Sequence, residues 1–121
     1  MPKDNLTLGV LGEDLATEHL VSTGYEIIAR NHKSALGEID IIAKRGGILV
    51  FVEVKTKTSN FFGRPEEMVT PTKQVKLKNL TNDYLSKNSH NGPVRIDVIA
   101  VNINSPRDHA NIKHFDDLID F

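Results

Sequence analysis

The feature that most constrains the fold is a pair of β-branched runs on either side of a glycine pair. The runs span residues 38–44 and 48–56, and Gly46 and Gly47 lie between them. Isoleucine- and valine-rich segments favour strands, and adjacent glycines supply the positive φ angles that a two-residue hairpin turn needs. The sequence therefore predicts an antiparallel hairpin with Gly46 and Gly47 at its turn.

The register of this hairpin brings charged side chains together. With the two glycines at the centre of the turn, residue pairing places Asp40 opposite Glu53 and Glu38 opposite Lys55. Alternate side chains of a strand share a face, so Glu53 and Lys55 point the same way. The predicted hairpin thus combines two acidic side chains and a lysine.

Two facing carboxylates favour a bound cation. Their Cβ atoms would lie ~4.5 to 5.5 Å apart, a distance at which like charges repel. Mg²⁺ (or Mn²⁺) takes carboxylate oxygens and needs only one or two of them when a phosphate completes its shell. Lys55, ~6 to 7 Å along the strand from Glu53, is placed to orient a water or to stabilise the pentacovalent centre. Asp40, Glu53 and Lys55 are the predicted catalytic residues.

A purely structural interpretation remains open at this stage. Glu38 and Lys55 also suit a cross-strand ion pair, and Asp40 and Glu53 could each pair with an arginine on a solvated sheet face. Apolar residues on the charged face weigh against it, because carboxylates in a covered patch are costly unless they are paired or metal-bound. These residues are Ile42, Leu49 and Phe51.

The flanking segments predict an α/β fold in one domain over residues 1–121. The expected core is a mixed central β-sheet of about five strands flanked by helices, in the order α-β-β-β-α-β-β. The remaining elements are a helix over 7–23 stopped by Gly24, strands over 25–30, 94–101 and 111–115, a loop over 57–69, a helix from Thr70 and Pro71 to about Ser86, and a short acidic tail.

Composition excludes several classes of site and protein. The chain has no cysteine, so disulfides, thiolate metal sites and cysteine nucleophiles are ruled out. With 39% hydrophobic and 26% charged residues it has the composition of a globular protein. No apolar run approaches the ~18 residues of a spanning helix, so we expect a cytoplasmic protein without a membrane partner.

Charge is distributed unevenly and points to an anionic partner for the central segment. Residues 30–78 hold ten Lys and Arg against five Asp and Glu, although the whole chain has a net charge of -1. Such a stretch is suited to nucleic acid, although it can also be an ordinary solvated face. The candidate nucleic-acid contacts in it are Arg30, Lys57, Lys73, Gln74 and Lys76.

The same residues resemble a known group of proteins. Asp40 followed by Glu53-Val54-Lys55 resembles the PD-(D/E)xK nuclease signature, and Gly37-Glu38-Ile39-Asp40 with residues 50–55 is similar to the YraN-like family of small bacterial proteins. The likeness extends to Gly12-Glu13, Arg30-Asn31, Lys73-Gln74 and Arg95-Ile96-Asp97.

The resemblance implies a restriction-endonuclease-like core and a metal-dependent endonuclease that cleaves DNA, including branched or damaged DNA. It also implies that Glu13 joins Asp40 and Glu53 as a third metal ligand. Lys55 would be the catalytic lysine, with Lys73 or Gln74 as auxiliary groups.

Two other functions stay open. One is a nucleic-acid-binding protein that keeps the fold without catalysis, and the other is a protein-interaction subunit, such as a homodimer formed through the loop with Phe61 and Phe62.

His19 lies on the apolar stripe of the first helix and is expected to be a packed or hydrogen-bonded histidine rather than a ligand. The remaining histidines show no metal-binding spacing and receive no role: His32, His90, His109 and His114.

Overall fold

In a computed structural model, the chain is described over residues 5–58, 68–103 and 110–119. Its elements follow the predicted order α-β-β-β-α-β-β, so the predicted α/β fold class is confirmed. The two helices are α1, Asn5–Ser22, and α2, Pro71–Lys87; the five strands are β1, Glu26–Ser34, β2, Gly37–Arg45, β3, Ile48–Lys57, β4, Val94–Asn102, and β5, Asn111–Ile119.

The five strands form one mixed sheet in the order β1-β2-β3-β4-β5. Only β3 and β4 pair in parallel, with α2 in the connection between them, and the other neighbours are antiparallel. Parallel neighbours need such a crossover, whereas the β2–β3 pair closes through a tight turn. In that turn Gly46 and Gly47 have φ angles of 57° and 81°, the positive values that favour glycine.

The predicted hairpin register is confirmed where β2 and β3 pair. Arg45 pairs with Ile48, and the ladder continues to Ile41 and Val52. It ends there, so Asp40 and Glu53 lie just beyond the last backbone pair. The acidic residues therefore occupy the place where the two strands separate.

Each face of the sheet is covered by one helix, which gives three layers. On one face, Phe51 packs in a cluster with Leu77 and Leu80 of α2. On the other, Val50 packs in a cluster with Ala16 and Leu20 of α1. Burying a side chain of this kind stabilises a fold by ~1.5 to 3 kcal/mol, so the two apolar faces hold both helices against the sheet.

Local signals at the helix ends act as the sequence predicts. Gly24, just after α1, has a φ of 96°, a left-handed conformation that ends the helix without a Cβ penalty. Thr70 caps α2 because its side chain accepts a hydrogen bond from the Lys73 amide at 3.2 Å, and Pro71 follows at the first helical position.

Three structural predictions need correction. β1 continues to Ser34 because it stays paired with β2, and β5 continues to Ile119, so Asp116 and Asp117 belong to a strand rather than to a tail. The side-chain alternation along β2 also breaks at Asp40: Ile39 packs in the α2-side cluster, but Ile41 packs in the α1-side cluster.

Most of the predicted loop, including Phe61 and Phe62, and also His109, lie outside the described residues. No helix in the described ranges is both long and apolar enough to cross a bilayer.

Candidate functional site

The side chains of Asp40 and Glu53 meet where β2 and β3 separate. Glu53 is 7% exposed, and Asp40 is half-buried. Burial raises the pKa of Asp40 from 3.8 to about 7, and the negative charge of Glu53 and a hydrogen bond between the two carboxyl groups act in the same direction. This is the behaviour of two acidic groups that share too little positive charge.

The orientation of Asp40 is fixed by the backbone of the neighbouring strand. Its Oδ2 accepts a hydrogen bond from the Val54 amide at 2.8 Å. This bond satisfies a half-buried backbone donor just past the end of the β2–β3 ladder. The carboxylate therefore lies against β3 rather than pointing freely into solvent, and its bond to Val54 opposes the rise in the pKa of Asp40.

Lys73 supplies the positive charge nearest to this acidic pair among the described ion pairs. Its Nζ lies 3.5 Å from Glu53 Oε2, and its charge also lowers the pKa of Asp40. Lys73 stands in the first turn of α2, where the helix dipole is positive as well. The first turn of α2 therefore places positive charge beside acidic residues that lie on the sheet.

Glu13 reaches the same region from the opposite helix. Its Oε1 accepts a hydrogen bond from Asn31 Nδ2 at 2.8 Å. Burial raises the pKa of Glu13, the Asn31 bond opposes the rise, and the negative charges of Asp40 and Glu38 add to it. Glu13 therefore interacts electrostatically with Asp40, although it has its own amide partner.

Asn31 is a member of the site that the sequence reasoning did not assign. Its neighbours Arg30 and His32 pair with Ile41 and Ile39, which places Asn31 across from Asp40. Its φ of 50° is the left-handed conformation that asparagine tolerates better than most residues. The sequence signal for this conformation was the tolerance of asparagine for it, but that tolerance does not identify Glu13 as the residue that the Asn31 side chain contacts.

Gly12 lets α1 approach β3 closely enough to bring Glu13 to this place. A Cβ at position 12 would lie 2.9 Å from Cβ of Thr56 and closer still to its hydroxyl. A residue with a side chain would therefore push the helix away from the strand. The glycine keeps the next residue, Glu13, beside the end of the sheet.

Lys55 is half-buried two residues beyond Glu53 on β3. Within the described ranges it forms no ion pair, so the alternative Glu38–Lys55 pair is absent. The alternative in which arginines hold Asp40 and Glu53 is also absent there. Lys55 thus keeps its charge available on the strand that carries Glu53.

The predicted nucleic-acid contacts have different surroundings. Arg30 is engaged with Asp14 at 2.9 Å and lies 3.8 Å from Glu13. Gln74 donates to the carbonyl of Val69 at 3.0 Å and so supports the turn that precedes α2. Lys57 is half-buried at the end of β3, and Lys76 is exposed beside the β1–β2 turn, where its Cε would meet a Cβ on Gly37.

The donor set suits a hard divalent cation. It consists of carboxylate oxygens, which Mg²⁺ and Mn²⁺ prefer over imidazole or thiolate. Within the described part of the chain, no three His, Asp or Glu side chains are already arranged as a closed ligand cluster. Asp40 and Glu53 are therefore the residues that would hold the ion, with Glu13 adding negative charge, and phosphate or water oxygens would complete its shell.

Comparison with known proteins places the chain in a family. Residues 12–101 match the family described as "Uncharacterised protein family UPF0102". The chain is 48% identical to a UPF0102 protein of Thermodesulfovibrio yellowstonii over 80% of this chain and 87% of the relative. It is also 48% identical to one of Rhodococcus opacus, over 82% of this chain and 85% of the relative. A match over this much of both sequences shows that the chain is a member of the UPF0102 family.

Proposed function

We propose that this protein is a divalent-metal-dependent endonuclease that hydrolyses phosphodiester bonds in DNA. The observation that carries the proposal is the meeting of Asp40 and Glu53, where burial and then the negative charge of Glu53 raise the pKa of Asp40 to about 7. A partly buried pair of this kind is stable only with a proton or a cation between the two groups. Lys73 neutralises it in part, and a divalent ion would neutralise it fully.

Each residue of the site has a separate role in this reaction. Asp40 and Glu53 would hold Mg²⁺, which when bound neutralises charge on the phosphate and activates the attacking water. Lys55, with its ammonium free of ion pairs among the described residues, stabilises the negative charge that grows on the phosphorus centre. Glu13 adds negative charge beside Asp40, and Asn31 holds Glu13 in place.

Cleavage assays with matched variants test the proposal. The purified protein is incubated with branched, single-stranded and duplex DNA in Mg²⁺ or Mn²⁺, and again with a chelator. We expect metal-dependent cleavage that falls at least about 100-fold in Asp40→Asn, Glu53→Gln and Lys55→Met, the loss typical of removing a group that stabilises a transition state.

The control is Asp83→Asn, which removes a carboxylate of α2 that pairs with Lys87 at 3.3 Å. It should leave cleavage unchanged. Cleavage that persists in both Asp40→Asn and Glu53→Gln would refute the assigned site, and no cleavage of any substrate with either metal would refute the activity.

One observation favours a second candidate, which is nucleic-acid binding without turnover. The Lys73–Glu53 ion pair already gives the acidic pair a positive partner, and the described residues contain no closed set of three ligands. Such a protein would bind DNA in a salt-dependent way, and Glu53→Gln would not change the affinity. For this second function the DNA affinity should be the same with and without Mg²⁺. Binding titrations under the two conditions therefore separate it from the metal-dependent nuclease.

A further inference from the structure

A second group of titratable side chains lies away from the acidic pair and joins α1 to β5. His19 Nε2 of α1 lies 3.2 Å from His114 Nδ1 of β5, although the residues are 95 positions apart in sequence. The two rings meet edge to face with centroids 5.2 Å apart. They open onto a cleft of about 270 Å³ whose other lining residues are Thr23, Tyr25, Arg45 and Asp116.

The orientation of His114 is set by a buried carboxylate. Its Nε2 lies 2.8 Å from Oδ2 of Asp97, a fully buried residue whose other contacts are Arg95 and the Asp117 amide. Because the Asp97 carboxylate can only accept, His114 Nε2 must carry the hydrogen. In the tautomer with a single hydrogen, Nδ1 therefore presents its lone pair towards His19.

The hydrogen bond between His114 and Asp97 matches the one that commonly orients metal-binding histidines. A ligating imidazole usually donates its second N–H to a carboxylate, which fixes the tautomer and the ring direction and raises the basicity of the ligand. Arg45 also lines this cleft, where its guanidinium donates to the Thr23 carbonyl at 2.9 Å and stacks over Tyr25. Asp116 adds a carboxylate to the same cleft.

The spacing of the two nitrogens also suits a shared ion. Imidazole nitrogens bind Zn²⁺ at ~2.0 to 2.1 Å, so two ligands of one tetrahedral ion lie about 3.3 Å apart. The observed 3.2 Å is close to this separation. Without metal His19 Nε2 donates its hydrogen to His114 Nδ1. For an ion to bind both nitrogens, that hydrogen would move to Nδ1 of His19, so that each facing nitrogen offers a lone pair.

We propose that His19 and His114 form a binding site for a borderline divalent transition metal such as Zn²⁺ or Cu²⁺, with water completing the shell. The site differs in chemistry from the carboxylate pair, because imidazole suits these ions and Mg²⁺ does not favour it. A bound ion would tie the end of α1 to β5 and so stabilise the fold.

Two measurements on the full chain, without an affinity tag, test the site. Calorimetric titration with Zn²⁺ at pH 7.5 should show one ion per chain, and the electron paramagnetic resonance spectrum of added Cu²⁺ should show coupling to two nitrogens. His19→Gln and His114→Gln should each weaken Zn²⁺ binding at least about ten-fold, since even the loss of a group that only orients a metal ligand costs 10- to 100-fold.

The matched controls separate this site from other histidines and from the acidic pair. His90→Gln removes a histidine outside this cleft whose ring is hydrogen-bonded to the Pro93 carbonyl, and it should leave Zn²⁺ affinity unchanged. The double variant Asp40→Asn/Glu53→Gln should also bind Zn²⁺ normally. His19→Gln decides the matter if His114→Gln fails to fold, because His19 lies in the last turn of α1 and its ring is bonded to His114, whereas His114 is bonded to the buried Asp97. Absence of binding, full affinity in His19→Gln, or a Cu²⁺ spectrum without two nitrogens would overturn the proposal.

Discussion

The Asp40 carboxyl group faces the negative charge of Glu53, while its Oδ2 accepts a hydrogen bond from the Val54 amide at 2.8 Å. The first contact favours a protonated Asp40, and the second favours an ionised one. The proton therefore belongs to the pair, and its loss near neutral pH is coupled to any cation that enters. This relationship yields the first prediction.

The metal-free protein should lose stability as pH rises through neutrality. In the folded protein the pKa of Asp40 is about 7, above its ordinary value of 3.8. The stability that the protonated carboxyl group contributes is therefore complete below pH 3.8 and is lost as pH rises through 7. Urea unfolding of the wild type and Asp40→Asn from pH 5 to 8 measures this. We expect the variant to become progressively more stable relative to the wild type as pH increases. A difference that stays constant over this range would contradict the raised pKa.

Asp97 should give a dependence of the opposite sign. Its hydrogen bonds with His114, Arg95 and the Asp117 amide lower its pKa despite burial, so the stabilisation is present above pH 3.8 and is lost as pH falls through the depressed pKa. Asp97→Asn should therefore destabilise the protein at pH 7 by ~3 to 5 kcal/mol, because Arg95 loses its buried partner. The difference between variant and wild type should narrow below pH 4 in urea unfolding. A gap of equal size at pH 3 and pH 7 would show that the charge of Asp97 is not the cause.

Removal of Lys73 should strengthen metal binding. Its ammonium lies 3.5 Å from Glu53 Oε2 and competes with a cation for that oxygen, and its side chain is 37% exposed. Exposed pairs of this kind contribute ~0.2 to 1 kcal/mol, so Lys73→Met should bind Mg²⁺ or Mn²⁺ up to about five-fold more tightly. Mn²⁺ binding followed by water relaxation provides the measurement. Lys87→Met, which breaks the Lys87–Asp83 pair at the other end of α2, is the control and should not change the affinity.

Gly12→Ala should destabilise the fold, whereas Gly9→Ala in the same helix should stabilise it. The new Cβ at position 12 would lie 2.9 Å from Cβ of Thr56, but at position 9 nothing lies within 4 Å. Overpacking typically costs ~1 to 3 kcal/mol, and alanine gains about 0.5 to 1 kcal/mol over glycine in a helix. Chemical denaturation compares the two. Adding Thr56→Ala to Gly12→Ala should recover part of the loss, and no recovery would remove Thr56 as the cause.

DNA binding should depend more on Lys76 than on Arg30. Lys76 is exposed and forms no ion pair among the described residues, whereas Arg30 is engaged by Asp14 and Glu13. Lys76→Ala should lower the slope of log affinity against log salt by about one phosphate contact. Arg30→Ala should change it less. Fluorescence anisotropy with a labelled duplex measures both slopes, and equal effects would argue against Lys76 as the stronger contact.

Local sequence signals predicted the fold well because each one acts over a few residues. The glycine pair determined the hairpin register, and Thr70-Pro71 marked the start of α2. The length of β5 was missed because its acidic residues resemble a tail, and only the pairing of Ile119 with Ile96 of β4 reveals that the strand continues past them. Tertiary contact overrides local propensity at such places.

The candidate site was predictable only in part, for a similar reason. Asp40, Glu53 and Lys55 lie on one hairpin, so their closeness follows from the register. The roles of Asn31 and of the Val54 amide depend on an irregular stretch of β2 that no periodicity describes. The contact of His19 with His114 joins elements at opposite ends of the chain, and nothing in their local sequence signals it.

Because the β2–β3 ladder ends before Asp40 and Glu53, these two residues are supported by different neighbouring strands. Beyond Val52, the strand that carries Glu53 and Lys55 stays hydrogen-bonded to Val98 and Ala100 of β4. The amides of Glu53 and Lys55 should therefore exchange slowly with deuterated solvent. The neighbouring part of β2 is held instead by its pairing with β1, and the Asp40–Val54 hydrogen bond joins it to β3. The two acidic residues are thus anchored through opposite halves of the sheet, Glu53 through β4 and Asp40 through β1.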